Sequence, residues 1–207
     1  VARRLRERGD RVRFLTGARF VEPVSDTGAE HVPLPEEADF DDRQDLAQTF
    51  PERVALRGAK ALAFDIEHVF VRPARAQHEA VMALHARERA DVLLADPAFV
   101  GAAFVGGHAL GDRPPVLVCG VVPLTIASRD TAPYGMGLAP LRGPVGRLRN
   151  ALLARLAART VFAPAERAAD GIHRALFARP LPFPILDWPR HAEAIAQVLP
   201  IQATQFI

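Results

Sequence analysis

One carboxylate stands where enzymes of a common architecture place reactive groups. Asp96 directly follows the apolar run Val-Leu-Leu-Ala at residues 92–95, which is typical of a parallel strand buried on both faces. Open α/β sheets bind ligands beyond the carboxyl ends of their strands. There, Asp96 could orient a histidine base and raise its basicity toward a hydroxyl proton. The alternative, which the residues alone favour, is that Asp96 caps the next helix, with Pro97 at the first helical position.

No complete catalytic motif surrounds this carboxylate. None of the seven histidines is predicted to end another strand. His78 and His85 could share a helix face, but they have no third ligand and are interpreted as two solvated histidines rather than a metal site. Neither Gly106-Gly107 nor the Gly-Met-Gly at residues 135–137 is placed between a strand and a helix, as a phosphate-binding turn requires. The sequence therefore predicts no metal and no bound cofactor.

Strand and helix patterns alternate along the chain and would position Asp96. The predicted strands are residues 11–16, 31–34, 92–95, 116–122, 185–188 and 202–206. The predicted helices are residues 1–8, 19–26, 46–62, 67–89, 98–110, 148–162, 165–177 and 190–198. A Pro- and Gly-rich loop is predicted over residues 123–146. This alternation predicts an α/β fold with a Rossmann-like, doubly wound parallel sheet and helices on both faces.

Composition excludes several classes of protein. The chain has 207 residues, 24% of them charged, and a formal net charge of +2, which fits one globular domain. No dense basic run is interleaved with aromatic residues, so nucleic-acid binding is not expected. The single Cys119 predicts a reduced, cytoplasmic protein, and no apolar stretch is long enough to span a membrane. Both ends of the sequence are abrupt, which predicts a fragment.

Four segments carry a family resemblance. They read LRERGDRVRFLTGARFVEPVSDTGAEHVPLP, ADVLLADPAF, PPVLVCGVVPLTI and SRDTAPYGMGLAPLRGPVGRLRN, from residue 5 to residue 150. In this order and spacing they resemble the N-terminal, acceptor-binding domain of GT-B-fold glycosyltransferases of the family 1 type. The resemblance is strongest to bacterial enzymes that modify macrolides and other natural products. It implies that residues 1–207 form a single, incomplete acceptor-binding domain and that the C-terminal nucleotide-sugar-binding domain is absent.

The resemblance also implies a chemistry. Members of this family transfer a sugar, with inversion and without a metal, from a nucleotide sugar to a hydroxyl of a small hydrophobic acceptor. Asp96 matches the aspartate that supports the family's histidine base, which follows the first strand and is expected upstream of Val1. By position, the acceptor pocket would draw on Phe70, Phe99, Leu124, Thr125, Ser128, Arg129, Tyr134 and Met136.

Each of these assignments has a structural alternative. Phe70 and Phe99 could pack in the core, and the polar loop residues could close the loop on itself. Arg129 and Asp130 are adjacent and could form a local surface ion pair. Two other functions also fit a sheet of this kind: a non-catalytic module that binds a small molecule or a partner, and an enzyme that uses a nicotinamide or flavin cofactor.

A physical consequence follows from the expected strand order, 3-2-1-4-5. The central first strand is expected to lie upstream of Val1, so in this polypeptide alone the edges at residues 11–16 and 92–95 would both be open. Buried backbone groups without partners are costly, and open edges invite aggregation. The isolated 207-residue polypeptide is therefore expected to be poorly soluble or molten.

Overall fold

Parallel strands joined by helices form the fold. The computed structural model describes residues 1–41, 43, 46–120, 129–133, 137–185, 187 and 201–202. Its strands are β1 (Arg13–Thr16), β2 (Glu30–Pro33), β3 (Leu93–Ala95), β4 (Val116–Gly120) and β5 (Ile201–Gln202). Its α-helices are α1 (Ala2–Glu7), α2 (Val21–Ser25), α3 (Leu46–Thr49), α4 (Gly58–Asp65), α5 (Ala74–Arg87), α6 (Gly101–Val105), α7 (Gly143–Thr160) and α8 (Ala163–Phe177). Short 3-10 turns and a π-helical segment, Ile66–Val71, lie between them.

The strands form two parallel groups. β1 pairs with β2, with Leu15 opposite Val32, and β3, β4 and β5 pair in that order. Among the described residues, no strand lies between β1 and β3. Leu15 of β1 nevertheless packs against the same apolar cluster as Ala95 of β3, so the two groups share one core. The α/β class with parallel strands is therefore confirmed.

Helix α6 connects the helical layer to the sheet, and all five of its residues are buried. On one face of α6, Phe104 belongs to a cluster with Val71, Ala165 and Ile185. On the other face, Val105 belongs to a cluster with Val81 and Val116. The close approach of α5 requires Gly101, because a Cβ there would lie 2.8 Å from the backbone nitrogen of His78. The Gly101 N–H also donates to the buried Gln77 Oε1 at 2.9 Å.

Two predicted helix boundaries were wrong. The helix predicted over residues 98–110 is shortened to α6, because a turn at Asp96 precedes it and the chain leaves the helix at Gly106. The loop predicted to reach residue 146 ends earlier, because α7 begins at Gly143. Pro144 lies in the first turn of α7, where backbone N–H groups have no acceptor within the helix, so a proline costs no hydrogen bond there. None of the helices in the described ranges is long and apolar enough to cross a bilayer.

Candidate functional site

The candidate site is built around Asp96, which directly follows β3 and is exposed. Its Oδ1 accepts a hydrogen bond from the Ala98 N–H at 2.8 Å, and its carbonyl oxygen accepts one from the Phe99 N–H at 2.9 Å. The carboxylate thus caps a turn that leads to α6. Pro97 is not a helical residue, because α6 begins only at Gly101.

Asp96 and Cys119 lie near each other at the carboxyl ends of β3 and β4, and the charge of Asp96 acts on the Cys119 thiol. Ala95 pairs with Val118, so Asp96 and Cys119 each lie one residue further along neighbouring strands. Burial raises the pKa of the Cys119 thiol, the charge of Asp96 raises it further, and the amino group of Val1 lowers it. No described residue donates a hydrogen bond to Asp96 Oδ2. That oxygen can accept a hydrogen bond from a histidine N–H.

No described histidine supplies that N–H. The ring nitrogens of His31, His68 and His173 contact the carbonyl oxygens of Gly17, Phe64 and Arg179, respectively, at 3.1, 3.1 and 2.8 Å. His85 Nδ1 accepts from the Ala90 N–H at 3.0 Å. His191 lies outside the described residues.

His78 and His108 instead contact each other. Their Nε2 atoms are 2.8 Å apart, and their ring planes differ by 7°. Phe177 of α8 meets both rings edge-on. Since a hydrogen bond between two Nε2 atoms needs one donor and one acceptor, one ring is protonated at Nε2 and the accepting ring is neutral. Burial, followed by the charge of His108, lowers the pKa of His78 to about 4.

The prediction that His78 and His85 are solvated was therefore wrong. Both are buried, because the face of α5 that carries them packs inside the protein. Sequence spacing could not reveal the pair, since His108 is thirty residues from His78 and lies beyond α6. Within the described ranges, no group of three or more His, Cys, Asp or Glu side chains could hold a metal ion.

The two aromatic candidates lie in different environments. Phe99 is half-buried and packs against the cluster that contains Val105 and Val116, as its core interpretation requires. Phe70 lies on the π-helical segment and remains 39% exposed. Segments of π-helix often occur at functional sites. The ring of Phe70 is thus partly exposed at the surface, whereas Phe99 contributes to the core.

The described part of the predicted binding loop is tied to α7. The Arg129 carbonyl accepts from Asn150 Nδ2 at 3.0 Å, and Asn150 is buried. Asp130 Oδ1 accepts from Arg147 Nε at 2.9 Å, and this hydrogen bond lowers the pKa of Asp130. The loop therefore closes onto α7 here, through an Asp130–Arg147 pair that the sequence analysis did not identify. The remaining candidates lie outside the described residues: Leu124, Thr125, Ser128, Tyr134 and Met136.

Several curated proteins are similar to this chain over most of its length. It is 36% identical over 170 residues to 4'-demethylrebeccamycin synthase of Lentzea aerocolonigenes, covering 82% of this chain and 39% of that protein. It is 37% identical over 151 residues to UDP-glycosyltransferase 2 of Phaeomoniella chlamydospora, covering 70% and 33%. It is 30% identical over 186 residues to UDP-glucosyltransferase A1 of Starmerella bombicola, covering 83% and 37%. No protein-family profile matches the chain.

These similarities confirm the resemblance to glycosyltransferases that the sequence segments predicted. The chain spans 33 to 39% of the length of these relatives, so the similarity concerns one part of each. Fungal proteins are among them, so the similarity is not limited to the bacterial branch.

Proposed function

We propose that this chain is the acceptor-binding part of an inverting glycosyltransferase of the GT-B architecture. The reaction moves a sugar from a nucleotide-sugar donor, carrying UDP or dTDP, to a hydroxyl of a small hydrophobic natural product. The observation that supports it most directly is the exposed carboxylate of Asp96 at the end of a parallel strand, in a chain related to glycosyltransferases.

In this proposal Asp96 is a positioning residue. One oxygen holds the turn through Ala98, and Oδ2 accepts the N–H of a histidine from outside the described residues. The carboxylate fixes the tautomer of that histidine and raises its basicity. The histidine then takes the proton of the acceptor hydroxyl as the oxygen attacks the anomeric carbon. The bond to the nucleotide diphosphate breaks on the opposite face, so the configuration at that carbon inverts.

The proposal also assigns roles to the two aromatic candidates and to the donor. Phe70 offers an exposed apolar surface to the acceptor, and Phe99 supports the turn that carries Asp96. The donor is held by a domain beyond this chain, and charge on the leaving diphosphate is stabilised without a metal. The protein works in the cytoplasm, where nucleotide sugars are supplied.

The test uses the complete gene product, a panel of nucleotide sugars and hydrophobic hydroxylated acceptors, with glycosides detected by mass spectrometry. Asp96→Asn should lower kcat about 100-fold, because a neutral amide cannot stabilise a charged histidine. The asparagine keeps an oxygen for the Ala98 N–H, so the turn is preserved. Asp112→Asn is the matched control, since Asp112 is another exposed aspartate in a turn. Its kcat should equal that of the wild type.

The proposal makes further commitments that the same assays can contradict. Full activity of Asp96→Asn would reduce Asp96 to a turn cap. Acceptor binding without any glycoside would favour the non-catalytic binding module. An unchanged anomeric configuration in the product, read from its proton NMR coupling, would exclude inversion. Loss of activity in EDTA, restored by a divalent cation, would exclude the metal-free mechanism.

A further inference from the structure

A stripe of large apolar side chains is exposed along α7. Val145, Leu148, Leu152 and Leu156 are 75, 63, 55 and 56% exposed. Their spacing of three, four and four residues places them on one face of the helix. Leu138 and Leu141, in the segment leading into α7, are 47 and 42% exposed and extend the apolar surface. Contiguous exposed apolar surface of this kind marks an interaction site.

The stripe is not the face that attaches α7 to the protein. The buried residues of α7 are Gly146, Asn150 and Ala157, which are small or polar. At 100° per residue, the stripe is centred roughly 130° around the helix from them. A Cβ at Gly146 would overlap the Leu141 carbonyl, so the preceding segment lies against this buried face. The described residues thus use the small-residue face for packing and leave Leu148, Leu152 and Leu156 exposed.

Positive charge accompanies the leucines. Arg142 is exposed three residues before Val145, and the exposed Arg155 and Arg159 each lie three residues after a stripe leucine. Residues three apart are neighbours on a helix surface. No acidic residue occurs between Asp130 and Glu166. An occupant of this face must therefore offer apolar contact and negative charge together.

We propose that α7 lies in the surface of an anionic lipid membrane, with its leucine stripe among the acyl chains and its arginines at the headgroups. Amphipathic helices with basic flanks bind membranes in this way, and they lie in the interface without crossing it. A lipid surface meets both requirements of the α7 face at once, whereas an acidic protein groove would need a matching shape. The proposal does not depend on the proposed function.

The test is co-sedimentation of the complete gene product with vesicles of phosphatidylcholine alone or mixed equally with phosphatidylglycerol. Binding is expected to the anionic vesicles and to weaken as salt is added. Leu152→Ser with Leu156→Ser should lower the partition coefficient at least 10-fold, because each substitution removes the transfer free energy of a leucine side chain into the membrane. The matched control is Val54→Ser with Leu110→Ser, because both residues are 54% exposed but lie outside α7.

Charge is tested separately. Arg155→Gln with Arg159→Gln should weaken binding by about 5-fold per arginine, as expected for charges at an anionic surface. Arg87→Gln with Arg167→Gln removes the same charge from exposed positions on α5 and α8 and should have a smaller effect. Circular dichroism would verify that each variant stays folded.

Several results would overturn the proposal. They are an absence of vesicle binding, equal binding to neutral and anionic vesicles, and equal losses from the α7 and control variants. A drop in the solution mass of the Leu152→Ser/Leu156→Ser variant would instead assign the stripe to an interface with a second copy. Turnover of a water-soluble acceptor is measured in parallel, so failure of the membrane proposal is distinguishable from failure of the proposed enzymatic function.

Discussion

Helices α7 and α8 follow each other in the chain and have similar lengths, yet their large apolar residues face in different directions. The buried positions of α8 are Ala165, Ala169 and His173, and its larger apolar residues also pack inward, against the cluster around Phe104. In α7, the small and polar positions face inward, whereas Leu148, Leu152 and Leu156 face outward.

The difference shows that apolar periodicity identifies a helix without identifying what covers its apolar face. In α8, polar groups reinforce the packing. Glu166 accepts the Ile185 N–H at 2.9 and 3.1 Å, and Asp170 accepts the Leu181 N–H at 2.8 Å. These bonds hold the following segment over the helix and bury Ile185 completely. The described contacts of α7 instead attach its polar residues to the loop at Arg129 and Asp130.

The largest expected effect separates the two helices by stability. Phe104→Ala should lower the free energy of unfolding by about 3–5 kcal/mol, because Phe104 is fully buried beneath α8 and the change leaves a cavity. Leu152→Ala should cost well under about 1 kcal/mol, since Leu152 is 55% exposed. Urea denaturation of the complete gene product measures both. Equal losses would mean that α7 is covered by other parts of the protein.

A second contrast lies in the response to acid. Phe177 of α8 packs against the His78–His108 pair, and the pKa of His78 is lowered to about 4 by burial and by the charge of His108. The unfolded chain therefore binds a proton below about pH 6.5 that the folded chain excludes. Stability should fall as the pH drops from about 6.5 to 4, by up to about 3 kcal/mol.

The measurement is the free energy of unfolding across that pH range. His78→Gln should flatten the dependence of the free energy of unfolding on pH, because the unfolded chain then has no imidazole at position 78 to bind the proton. Leu152→Ala on α7 should keep the wild-type slope. An unchanged slope in His78→Gln would assign the acid sensitivity to other groups. Glu79, Arg75, Asp112 and Arg113 also act electrostatically on the two rings.

The sequence predicted elements better than it predicted exposure. Strong local patterns decide where a strand or helix forms, and β1 to β4 all lie within one or two residues of their predicted places. Burial depends on contacts between distant segments. His78 was predicted to be solvated because nothing near it in the chain reveals that α6 and α8 cover it.

The candidate site was predictable in part for the same reason. Asp96 could be found because a strand end is a local feature. The Asp130–Arg147 and Asn150–Arg129 contacts join positions 17 and 21 residues apart, which no local pattern connects. The roles of Phe70 and Asp96 in acceptor binding and catalysis stay predictions until the Asp96 variants are assayed.

The smallest expected effects differ in sign between the two helices. Gly146 of α7 and Gly171 of α8 are both helical, but only Gly146 is crowded, by the Leu141 carbonyl. Gly146→Ala should destabilise the protein by about 1–3 kcal/mol, because the backbone of the preceding segment must move. Gly171 has nothing within 4 Å of an added Cβ, so Gly171→Ala should stabilise by about 0.5–1 kcal/mol through its effect on chain entropy. Thermal denaturation of the two variants measures these opposite shifts. A stabilising shift in Gly146→Ala would show that the segment before α7 is not held against the helix, and the apolar surface that Leu138 and Leu141 add to the stripe would then be lost.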